Sequence, residues 1–176
     1  MTSLTKIPGN SHADSWINAM IAVGSAMFVS GLAVSAAFAP EWRTLHVLQA
    51  LIYVALVMLT RRKHPAGFGA GLAVAAFWNV LLLTTAAHDV MQELLTLVRT
   101  GRPQHPDLLL SVFAACGHLL IIIACMIGFA RIRPTARQWV QWGVGGVAAL
   151  AYLIAIVFIF GPPEGVALMK HVFGLK

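Results

Sequence analysis

Five stretches of the chain contain no Asp, Glu, Lys or Arg: Ser15–Pro40, Thr44–Thr60, His64–His88, Leu108–Ala130 and Gln138–Pro163. Each is 17 to 26 residues long, the length at which a helix rising ~1.5 Å per residue crosses a hydrocarbon core ~30 Å thick. The expected fold is all-α, a polytopic transmembrane helical bundle with five spans, near residues 17–39, 42–61, 66–88, 107–130 and 138–161. The apolar runs are continuous rather than alternating with period two, which argues against a membrane barrel. Of the 176 residues, 59% are hydrophobic and 10% charged, against ~25% charged in a soluble domain. The short links leave no room for a soluble catalytic domain, so residues 1–176 read as a single integral-membrane domain. The first run exceeds the apolar core of a cleavable signal and is expected to remain as a span.

The charges orient the bundle. Arg61, Arg62 and Lys63 lie in one link, and Arg131, Arg133 and Arg137 in another two spans later, hence on the same side. By the positive-inside rule that side is cytoplasmic, which puts the N-terminus inside and the C-terminus outside. Glu41, Asp89, Glu93, Asp107 and Glu164 then all fall outside, and Asp14 alone among the acids falls inside. The expected location is a bacterial cytoplasmic (inner) membrane. The net charge of +6 is accounted for by topology and anionic headgroups. No basic patch interleaved with aromatics is present, so no nucleic-acid partner is expected. Trp16, Trp42, Trp139 and Trp142 sit at span ends, where an interfacial aromatic belt belongs.

Two segments lie outside the spans. Residues 88–100 form an amphipathic helix with Asp89, Gln92, Glu93, Thr96 and Arg99 on one stripe. It either lies on the outer interface or prolongs the third span. Residues 164–176, after Pro162-Pro163, read as an interfacial tail.

Within the spans, small residues recur at helical spacing. The third carries Gly67, Gly71, Ala75 and Asn79, the first Ala22, Ala26 and Ser30, and the fifth Gly145 and Ala149. Such ridges let backbones approach closely. Polar residues are fewer and more informative. Counting ~1.5 Å per residue from the outer end places Tyr53, Asn79 and His118 each roughly 12 to 17 Å deep, a polar layer shared by three consecutive spans. A polar group facing lipid costs several kcal/mol, so all three are expected to point inward, with His118 bonded to Asn79 or Tyr53. The layer is either helix glue or a ligand site. His46 and His88 form a second candidate, an outer haem, metal or quinone site, although no histidine pair has tight metal-ligand spacing. Cys116 and Cys125, nine residues apart on one span, are ~13 Å apart on a helix and too distant to bridge each other.

No His-Glu-x-x-His or Gly-x-Ser-x-Gly motif and no acid within a span supports hydrolase chemistry. The leading expectation is a non-catalytic subunit, or an accessory or scaffold protein, of a larger membrane complex, with lipid and other membrane subunits as partners. The first alternative is a haem-b- or quinone-binding anchor of a redox complex. Haem requires axial histidines on facing helices, whereas a quinone needs only a His or Tyr bonding its carbonyl in an apolar pocket. The second alternative is a small-solute transporter or channel. No cofactor follows from the residues alone.

Overall fold

The computed structural model describes residues 11–175. These residues form α1 (Ser11–Phe38), a 3-10 turn (Pro40–Trp42), α2 (Arg43–Arg61), α3 (Pro65–Thr85), α4 (Ala87–Thr100), α5 (Pro106–Arg131), α6 (Ala136–Phe160) and α7 (Pro163–Val172), with no strand among them. Five helices, α1, α2 with its preceding turn, α3, α5 and α6, are long and apolar enough to cross a membrane.

The distribution of side chains around α2 identifies the surrounding medium. Its inward face buries Gln49, Tyr53 and Thr60 along with Leu45, Ile52 and Leu56. Its outward face presents Val47, Leu51, Val54 and Met58, each more than half exposed. Polar groups inside and aliphatic groups outside invert the pattern of a water-facing helix and fit hydrocarbon, where unpaired polar groups are the costly ones.

Four helices make a ring. α1 packs on α2 and α5, and α3 packs on the same two, while α1 and α3, like α2 and α5, stand opposite each other without direct backbone approach. α6 lies outside the ring against α3 and α2. The sequence Gly67-Phe68-Gly69-Ala70-Gly71 lets α3 serve three neighbours. At ~100° per residue, Gly67 and Gly71 share a face and Gly69 points the opposite way. A Cβ on Gly67 would meet Leu59 of α2 at 2.6 Å, and one on Gly71 would meet Leu56 of α2 and Cys125 of α5 at 2.6 and 2.7 Å. A Cβ on Gly69 would run into the Trp142 carbonyl of α6, and one on Gly145 of α6 into the Ala66 backbone. α1 and α5 cross where Gly24 and Gly117 each abut the other's carbonyl.

The two basic links lie together at one end, called here the basic end; Glu41, Asp89, Glu93, Asp107 and Glu164 mark the opposite, acidic end. Both basic links turn through a left-handed non-glycine residue, Lys63 (φ 55°) and Arg133 (φ 49°). His64 then caps α3 by accepting from the Ala66 amide at 3.3 Å. Thr135 and Gln138 close a reciprocal capping box on α6.

At the acidic end, α3 stops at Thr85 rather than 88, and Ala86 (φ −132°) leaves the helical region before α4 begins. The amphipathic segment is therefore a separate helix, and the turn lays it against α5. That placement buries Glu93, expected on the polar stripe, to 3% exposure. Its carboxylate accepts from the Gln104 and His105 amides at 2.7 and 2.9 Å, fastening the link into α5. The tail expected over 164–176 is helical as α7, Pro163–Val172, with Met169 buried and Gly165 against the Trp42 ring.

Candidate functional site

The acidic half of the bundle holds a partly open cavity of about 850 Å³ between the ring helices. All four ring helices contribute to its wall, and Leu168 of α7 and Asp107 of α5 stand at its acidic end. The side of the cavity is largely apolar, with Leu32 and Val34 from α1, Leu82 from α3 and Leu110 from α5. Polar side chains occur near its mouth and at its deep end.

At the deep end His118 of α5 lines the cavity and bonds Tyr53 of α2, which lies behind the lining. The Tyr53 hydroxyl and His118 Nε2 are 2.7 Å apart, with the phenol the better donor and the imidazole nitrogen the better acceptor. Both side chains are 2% exposed. Phe28 of α1 covers them, its ring centroid 4.6 Å from that of Tyr53 and 4.3 Å from that of His118. The bond spans the ring between two helices whose backbones do not approach each other directly. Thus the hydrogen bond at His118 is made by Tyr53 and not by Asn79.

Asn79 lines the same cavity from α3, next to Trp78. Asn79 Nδ2 and Trp78 Nε1 are both buried and have no hydrogen-bond partner within the protein. Trp78 was not singled out by sequence reasoning. Its place in an apolar run hides it, and only its position beside Asn79, one of the three polar residues at mid-span depth, would have drawn attention to it.

Nearer the mouth, His46 is held on both sides. Its Nδ1 lies 3.0 Å from Gln49 Oε1 and its Nε2 3.1 Å from Ser35 Oγ. An amide oxygen only accepts, so Nδ1 carries the proton and donates to it, and the Ser35 hydroxyl donates to Nε2. The Trp42 ring stacks on the imidazole with centroids 5.8 Å apart. Gln49 lies three residues on from His46, a spacing visible in the sequence; Ser35 reaches it only because the turn at Pro40–Trp42 folds α1 back beside α2.

His46 and His88 are not assembled into one site. His46 lines the cavity, whereas His88 is exposed in the first turn of α4 and is absent from the lining. Among the described residues, no group of three or more His, Cys, Asp or Glu side chains is placed to hold a metal ion. Both ring nitrogens of His46 and the Nε2 of His118 already have partners within the protein. A second, smaller cleft of about 360 Å³ lies between α4 and the link to α5, lined by Gln92, Glu93, Thr96 and His105. Its buried carboxylate is committed to the two loop amides described above.

Comparison of the chain with protein-family models, with curated proteins and with solved structures finds no match.

Proposed function

We propose that this chain is a binding protein of the bacterial cytoplasmic membrane that takes a small, lipid-soluble, amphipathic molecule into the cavity between α1, α2, α3 and α5. The observation that carries this reading is a cavity of about 850 Å³ whose wall is largely apolar, with polar side chains near its mouth and at its deep end. That volume lies within the range of small-molecule sites, roughly 300–1,000 Å³, which combine apolar walls with a few oriented polar groups. With the basic end in the cytoplasm, the cavity occupies the outer-leaflet half of the bundle, where a membrane-dissolved molecule has direct access.

The experiment compares what co-purifies with the wild-type chain and with Ala115→Phe, which places a ring in the cavity. Leu119→Phe, on a lipid-facing position that is 52% exposed, controls for the added bulk. Mass spectrometry of organic extracts is expected to find a small amphipathic species enriched with the wild type and with Leu119→Phe, and depleted with Ala115→Phe. Identical extracts from all three would refute the reading.

Service within a larger membrane complex is the second reading, and one observation favours it. Ala26 and Ser30 of α1 remain exposed beside Val23 and Val34, and the Ser30 hydroxyl is already bonded to the Ala26 carbonyl at 2.7 Å. This leaves a smooth strip that another helix can approach. The small face of α6 offers no such support, since Gly145 and Gly146 are used against α3. Cysteine cross-linking from position 26 in native membranes, yielding a discrete higher-mass adduct, is the outcome this second reading requires.

A further inference from the structure

We infer that the molecule bound in this cavity carries a neutral hydroxyl head at the deep end, accepting a hydrogen bond from His118 Nδ1 and donating one to Asn79 Oδ1. The inference rests on the cavity reading above and adds to it the chemistry of the ligand.

Two polar atoms of the deep wall have no partner within the protein and are not buried in it: Oδ1 of Asn79 and Nδ1 of His118, both on residues that line the cavity. Asn79 Nδ2 and Trp78 Nε1, by contrast, are buried away from it. An amide oxygen only accepts. The role of the imidazole nitrogen is set from the far side of its ring, because the Tyr53 hydroxyl donates to Nε2 and the proton of the neutral ring is then on Nδ1. The wall therefore offers one acceptor and one donor. They also share a level. Gly71 of α3 abuts Cys125 of α5, its neighbour in the ring. From that contact Asn79 lies eight residues and His118 seven residues toward the acidic end, ~12 and ~10.5 Å along their helices. Gln49 Nε2, a further donor on the wall, is one turn of α2 nearer the mouth than Tyr53.

Charge and valence narrow the head group. No Lys or Arg lines the cavity, and its one acid, Asp107, stands at the acidic end. A carboxylate, phosphate or ammonium at the deep end would be an unpaired buried charge, so the head is neutral. A ketone or ether would take the His118 proton but turn lone pairs toward Asn79 Oδ1, leaving that acceptor unmet. A hydroxyl is the smallest neutral group that accepts from the one and donates to the other. The 11 residues from Asp107 to His118 span roughly 16 Å of helix, room for the head and the first part of an apolar body running past Leu110 and Leu82 toward the mouth.

The test uses the full chain, delipidated and placed in nanodiscs. The probes are 4-nonylphenol, its methyl ether 4-nonylanisole, which keeps the oxygen but has no proton to donate, and nonylbenzene, which has neither. Binding is read by calorimetry against empty nanodiscs. The phenol is expected to bind about 10-fold more tightly than the ether, and the ether more tightly than nonylbenzene. Asn79→Leu is expected to weaken phenol binding about 10-fold and to leave the ether unchanged, which abolishes the preference. A preference that came from crowding of the ether's methyl group would persist in Asn79→Leu, and its persistence would overturn the assignment. Phenol and ether binding the wild type equally, and both more tightly than they bind Ala115→Phe, would also overturn the hydroxyl head while the cavity reading stands; this comparison needs no variant at Asn79. If no probe binds the wild type more tightly than it binds Ala115→Phe, both fail.

Discussion

Removing the Tyr53 hydroxyl tests whether the bond across the ring holds the bundle together. Tyr53→Phe deletes one oxygen and keeps the ring that packs on Phe28 at 4.6 Å. It leaves His118 Nε2 without its 2.7 Å partner in a side chain that is 2% exposed. The buried imidazole nitrogen loses its one bonded partner, so the expected destabilisation is about 1–2 kcal/mol. His118→Leu removes the acceptor and also the ring stacked on Phe28 at 4.3 Å, for which a larger cost of about 2–3 kcal/mol is expected. The two losses are not independent. In the double variant the hydroxyl is absent, so no orphaned phenol is left behind, and the combined cost should fall short of the sum by about 0.6–2 kcal/mol. Reversible unfolding in bicelles, followed by steric trapping, gives all four free energies. Because α2 and α5 do not approach each other directly, backbone packing between them cannot supply this coupling. Additivity within about 0.3 kcal/mol would refute the bond as a link between the two helices.

Three further outcomes follow from other parts of the molecule. Gly69→Ala, whose Cβ would collide with the Trp142 carbonyl, should cost about 1–3 kcal/mol or more in the same unfolding assay, whereas Gly143→Ala, with nothing within 4 Å, should be neutral or stabilising by up to about 1 kcal/mol. Glu93→Ala should speed hydrogen exchange at the Gln104 and His105 amides at least ~10-fold, and Glu93→Gln, which keeps an acceptor oxygen, should speed it less; unchanged exchange in Glu93→Ala would show that the carboxylate does not hold the link. In a Cys116→Ala, Cys125→Ala background expressed in bacteria, an impermeant maleimide applied to intact cells should label Gln104→Cys and spare Pro134→Cys. The reverse pattern would invert the proposed orientation.

What the sequence made legible is what one dimension determines. Charges at Arg43, Arg61, Lys63 and Arg131 bracket the spans because a charge in hydrocarbon is expensive, and the observed helices end within a few residues of them. Depth is also one-dimensional: counting residues placed Tyr53, Asn79 and His118 in one layer. Azimuth and partner are not. Asn79 shares the depth of His118, but α3 directs it to the cavity wall, and the bond goes to Tyr53 from the opposite side of the ring. Gly69 escaped notice because the i+4 ridge through Gly67 and Gly71 defines one face, while α3 is packed on two. Glu93 was read only as part of a polar stripe because its partners, the amides of Gln104 and His105, come from beyond a glycine-proline turn whose path no local pattern specifies.

Helix glue and ligand site were alternatives for the Tyr53 layer, and in the folded ring they are compatible. The close crossings at Gly67, Gly69, Gly71, Gly128 and Gly145 lie in the basic half, and Gly24 meets Gly117 near the middle. Beyond that level the cavity wall mixes large residues, among them Phe28, Trp78, Leu32 and Leu110, with small ones such as Gly31 and Ala114. The Tyr53–His118 bond sits at the boundary, fixing α2 to α5 where the close crossings end and the cavity begins. His118 lines the deep end of the cavity, so the bond that holds it positions part of the cavity wall as well as tying two helices. Loosening it should deepen the cavity and lower the stability together, so Tyr53→Phe should weaken binding of a ring-bearing ligand even though the hydroxyl is already spent on His118 and makes no bond to that ligand.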